Sequence, residues 1–82
     1  MAVRIVRLTT GEEILCDYTV EDTSANLKNP TVLLPMEGGK LALVPWMPYS
    51  DKPNETVTMS TNNVMFDLPP LKDLMNEYNK TI

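Results

Sequence analysis

The stretch Gly11-Glu-Glu-Ile-Leu-Cys16-Asp-Tyr18-Thr-Val-Glu-Asp22-Thr-Ser-Ala-Asn26-Leu27 decides the fold. Within it Ile14, Cys16, Tyr18 and Val20 recur at every second position, and the mostly polar set Leu15, Asp17, Thr19 and Glu21 alternates with them. A two-residue period marks a strand with one face on a core. It predicts a strand over residues 13–21. Just before it, Thr9-Thr10-Gly11-Glu12 reads as a turn, because glycine adopts positive φ without a Cβ clash. Upstream of that turn, residues 2–9 form a second alternating run. Arg4, Val6 and Leu8 share one side, and Val3, Ile5 and Arg7 share the other. Neither side is purely polar, which suits a strand in a small barrel or at a subunit contact.

Downstream, Asp22 to Pro30 is polar and turn-rich and is expected to be a loop. A third strand is expected over 31–36, bracketed by Pro30 and Pro35, since proline is tolerated at strand starts and edges. Glu37-Gly38-Gly39-Lys40 is a hairpin turn signal. A fourth strand is expected over 41–48. It contains Pro45, which has no N–H to donate, so the strand bulges there or lies at an edge. Tyr49 to Glu55 reads as a loop. A fifth strand is expected over 56–65, with its β-branched part at Thr56–Ser60. Asn62-Asn63 is placed to close it, and Val64 to Phe66 to extend it or cross over. The chain then changes character. Asp67 is a candidate N-cap, and Pro69-Pro70 suit a first helical turn. Leu71, Leu74, Met75 and Tyr78 recur at helical spacing, which predicts a short helix over 69–79. Such a helix is marginal alone, so its apolar face must pack on the sheet or on a neighbouring subunit.

Eighty-two residues make one domain. A core this small gains from a partner subunit. The chain is 43% hydrophobic and 22% charged, which excludes a disordered class. No apolar run approaches the ~20 residues that span a bilayer, so no membrane association is expected. The N-terminal Met-Ala-Val-Arg-Ile-Val-Arg has no signal-peptide core, and a cytoplasmic setting is expected. A single cysteine, Cys16, excludes an internal disulfide framework. The net charge of −4 is the wrong sign for a broad phosphate-binding surface.

The order strand, Gly11 turn, strand ending at Asp22, then Asn26-Leu27 ahead of a further strand resembles the first motif of Sm-like domains. The matching positions are Leu8, Gly11, Cys16, Tyr18, Asp22, Asn26 and Leu27, without a gap. Cys16 stands where the family usually carries a glycine that lets the second strand bend. The resemblance implies a mainly β fold: a small, strongly bent, five-stranded antiparallel Sm-like (SH3-type) barrel, here with a short C-terminal helix. It also implies homo-oligomeric rings, with the fourth strand of one subunit paired to the fifth of the next. Leu43, Val44, Trp46, Val57 and Met59 are then the expected interface residues. Finally, it implies single-stranded RNA held at the loop, with Asn26 reading a base edge and Asp22 in support. Ser24 stands at the family's base-stacking position and has no ring. Leu43-Val44-Pro45-Trp46 stands where the second motif usually supplies an arginine. Stacking contributes about 1–3 kcal/mol per base, so this loss is large.

The partners expected are therefore further copies of the chain, RNA, or a protein. The alternative function is a structural or protein-interaction module that keeps the barrel but not RNA binding. The bland readings are a loop amide capping its own turn for Asn26, a small core residue for Cys16, and a core or contact residue for Trp46. Trp46, between Pro45 and Pro48 and near Tyr49, could alternatively line a peptide groove. Glu12, Glu13, Asp17, Glu21 and Asp22 lack ligand spacing and read as a solvated face, so no metal and no cofactor are expected. With no histidine and no paired acid and base, an enzyme is not expected.

Overall fold

A computed structural model describes residues 2–51 and 55–81. The fold is mainly β, with one antiparallel sheet of six strands and one short C-terminal helix. The strands are β1 (Ala2–Leu8), β2 (Glu13–Glu21), β3 (Ser24–Pro35), β4 (Leu41–Pro45), β5 (Val57–Ser60) and β6 (Val64–Leu68). The helix is α1 (Lys72–Thr81). Pro53 and Asn54 of the expected loop lie outside the described residues. The sheet order is β4-β3-β2-β1-β6, and β5 also pairs with β3. The sheet is not closed on itself.

The turn between β1 and β2 forms as the sequence requires. Gly11 has φ +97°, and its N–H donates to the Leu8 carbonyl at 2.9 Å. Gly38 and Gly39, at φ +78° and +76°, sit in a 3-10 turn that the Met36 N–H closes onto the Lys40 carbonyl.

The expected loop from Asp22 to Pro30 is instead mostly strand. Glu21 pairs with Ser24, so only Asp22 and Thr23 turn, with Asp22 at φ +53°. The polar residues that suggested a loop are ladder residues: Asn26 pairs with Thr19, and Lys28 with Asp17. Turn-like composition was overridden by pairing on both edges of β3. The register then slips between Leu15 and Asp17, where Asn29 and Pro30 together oppose Cys16. Asn29 has φ +51°. This is a β-bulge, which bends a strand and raises its twist. The irregularity lies opposite Cys16, and Asn29 on the partner strand takes the left-handed conformation.

β3 is long enough to hold two strands in line on one edge. Residues 24–27 pair with β5, and residues 31–35 pair with β4. Between them the chain leaves the sheet after Pro45, which ends β4 early, and returns at Val57. The expected fifth strand is two strands. The Ser60 Oγ accepts from the Asn62 N–H and closes a 3-10 turn over Thr61–Asn63. β6 then crosses to β1, with Val6 opposite Asp67. Asp67 is therefore no N-cap; it accepts from the Arg4 Nε at 2.7 Å. Pro69 and Pro70 stay outside α1, because the residue before a proline is pushed out of the helical region.

The core lies on one face of the sheet: Val6, Leu8, Ile14, Cys16, Ala25 and Leu27, with Tyr18, Val32, Trp46, Met59 and Val64 packed against it. Leu15 points to the opposite face and is equally buried. α1 serves that second face through Tyr78, which is fully buried and whose hydroxyl donates to the Lys28 and Asn29 carbonyls at 3.1 and 3.0 Å.

A Cβ built on Gly11 meets nothing within 4 Å, so only its backbone conformation resists replacement. Gly11→Ala should lower stability by about 1–2 kcal/mol through left-handed strain alone, read as a lower urea midpoint with an unchanged m-value.

Candidate functional site

Asp22 and Asn26 do not converge on a pocket. Asp22 is at the exposed tip of the β2–β3 turn, and Asn26 is half-buried within β3. The Asn26 side-chain carbonyl accepts from the Thr58 hydroxyl at 2.8 Å. Asn26 therefore ties β3 to β5, a role its neighbours in sequence do not reveal because Thr58 lies 32 residues on. Ser24 pairs with Glu21 and Ser60 and offers no aromatic surface.

Trp46 is half-buried against the core. Its backbone N–H donates to the Pro30 carbonyl at 2.9 Å, and its indole N–H donates to Glu12 Oε2 at 3.0 Å. It forms one wall of an open groove of about 230 Å³, with Leu8, Glu12, Met59 and Asn63 among the other lining residues. Glu12 is held from both sides, by Trp46 and by the Thr10 hydroxyl.

The expected interface residues divide. Leu43 and Val44 are half-buried on β4, the end strand of the sheet, opposite Leu33 and Val32. Met59 packs on the core of its own chain, and Val57 is half-buried opposite Leu27. β4 and β5 lie in line on one edge of β3 rather than at opposite ends of the sheet. The opposite end is β6, whose second edge pairs with no described strand. Met65, Phe66 and Leu68 on β6 are 58%, 47% and 55% exposed. Of the two courses the sequence left open for Val64 to Phe66, the chain takes the crossover, as a separate strand on β1.

Among the described residues, no cluster of cysteine and carboxylate side chains could hold a metal ion. No described helix is long and apolar enough to cross a membrane. Burial pushes the Cys16 thiol up to about 12, and Asp17 and Asp67 add to the shift. Burial also pushes the Tyr78 phenol up to about 12. Compared with known proteins, the chain matches no family model and no curated protein.

Both raised groups stay protonated in the folded chain after the unfolded chain has lost its protons. Folded-state stability is thus complete below the ordinary thiol value of 9.0 and declines from there toward about 12. The urea midpoint should be lower at pH 10 than at pH 8. Alkylation of Cys16 at pH 8 should require unfolding, and rapid labelling of the folded protein would contradict its burial. Asn26→Ala removes the tie to Thr58 and should cost about 0.5–1.5 kcal/mol, measured by thermal denaturation.

Proposed function

We propose that the protein is an assembly module, an Sm-like barrel protomer that joins copies of itself into a closed ring through its sheet edges. The observation that carries this reading is the pair of sheet ends. β4 and β6 each use one edge inside the sheet, and neither pairs on its other edge with a described strand. An open edge invites pairing with another chain. On β6 that edge comes with Met65, Phe66 and Leu68, exposed apolar side chains that a second copy would remove from water. Two unlike edges on one protomer suit a head-to-tail contact, which closes into a ring when the rotation permits. The sequence resemblance supports the same assembly. β5 also pairs on one edge only, and β6 is favoured over it as the strand that meets β4 of the next copy because it carries the exposed Met65, Phe66 and Leu68.

RNA recognition at Asp22 and Asn26 is the weaker half of the resemblance. The Asn26 carbonyl is already engaged by Thr58, Ser24 has no ring to stack, and the net charge is −4. The favoured reading is therefore a structural or protein-interaction ring without base recognition at that turn.

Native mass measured over a range of protein concentrations tests the assembly. The expected result is one species of about six or seven copies. Phe66→Lys, which places a charge on the open edge, should shift it to monomer while the circular dichroism spectrum is kept. A wild-type monomer at every concentration would sink the ring, and a dimer would replace it with an isologous pairing of β6 with β6. Short uridine- or adenine-rich oligonucleotides should not bind. Binding that Asn26→Ala abolishes without loss of assembly would restore the RNA reading.

A further inference from the structure

We infer that α1 is a strap that docks on the sheet and releases from it as a unit while the sheet stays folded, with Tyr78 as its pin. The inference rests on contacts within one chain and does not depend on the ring. Pro69 and Pro70 separate α1 from β6, and neither has an N–H with which to continue the β6–β1 ladder. Neither proline therefore contributes a donor to the ladder that release of α1 would have to break.

The apolar face of α1 is unevenly covered. Leu71 at its root is 79% exposed, Leu74 and Met75 are half-buried, and Tyr78 is the only buried side chain among those described in the helix. Ten residues of helix do not hold together in water without packing. Helix formation and docking are therefore one event, and a single residue dominates it. The Tyr78 hydroxyl has one proton and shares it between the Lys28 and Asn29 carbonyls, at the start of the β3 bulge. Docked, the strap satisfies two carbonyls that the bulge takes out of the ladder and covers the face that carries Leu15. Released, it returns the Lys28 carbonyl to water and leaves the Asn29 carbonyl to the Thr31 hydroxyl, at little cost. The β1–β2–β3 ladders and the core cluster on the other face contain no residue of α1, so they persist through the change.

Native-state hydrogen exchange on the full chain and on Tyr78→Phe tests this. The amides of residues 75–80 should exchange as a group and faster than the β1–β2 ladder amides. Removing the hydroxyl should speed their exchange by roughly threefold to tenfold and leave the ladder amides unaffected. Tyr78→Ala should abolish the helical signal and keep the cooperative unfolding of the sheet. The inference is overturned if helix and ladder amides share one rate. It also fails if Tyr78→Phe speeds both alike, or if Tyr78→Ala unfolds the whole chain.

Discussion

The bulge at Asn29 and Pro30 is the constraint on which the other elements depend. Two residues of β3 oppose the single Cys16, so the carbonyls of Lys28, Asn29 and Pro30 need partners from elsewhere. Trp46 and Tyr78 reach them from distant parts of the chain, and Thr31 from two residues on. Trp46 donates its backbone N–H to Pro30, the Thr31 hydroxyl donates to Asn29, and Tyr78 serves both Lys28 and Asn29. One irregularity thereby fixes the end of β4, the anchoring of α1 and the bend in the sheet. Leaving such groups buried and unmet costs about 1–3 kcal/mol each. The distant donors are thus as necessary to the bend as the strand that bends.

Cys16 belongs to this arrangement more than to any chemistry. It is fully buried, opposite the bulge, among aliphatic side chains. A larger residue would crowd a backbone already turned at Asn29. Its raised pKa records that setting, since a thiolate there would lose water without gaining a counter-charge.

Much of the architecture was legible in the sequence, and the failures share one origin. β2 was readable because its period of two holds at most positions from Glu13 to Glu21, with Leu15 the apolar exception, and Gly11 was readable because turn chemistry is local. The span from Asp22 to Pro30 was misread because asparagine, serine and lysine carry a loop-like composition. Here residues 24–27 are held on both edges, by β2 and β5, and Lys28 pairs with Asp17 of β2, which local composition does not encode. Asp67 misled in the same way: a capping residue by position, it is drawn to Arg4, 63 residues away. Of the candidate site, Trp46 and the β4 residues were identifiable. The engagement of Asn26 with Thr58 was not, because it depends on β5 returning to β3. The open edge of β6 was hidden for a related reason. Asn62-Asn63 marks a break in the run Thr56 to Phe66, but local sequence does not encode whether the second half extends the first or crosses to another neighbour.

The departure of the chain between Pro45 and Val57 has a consequence for how this fold can vary. β4 and β5 lie on the same edge of the same strand, and each is fixed there by its own register with β3. Past Trp46, which bonds to Pro30 and packs on the core, residues 47–51 pair with no described strand. Lengthening the chain after Trp46 leaves both registers intact, because the entropy of closing a longer excursion rises only slowly with its length. Tyr49, in this stretch, is 99% exposed. The position is a natural graft point, where new recognition surface can be added to the domain without redesigning the sheet that carries it.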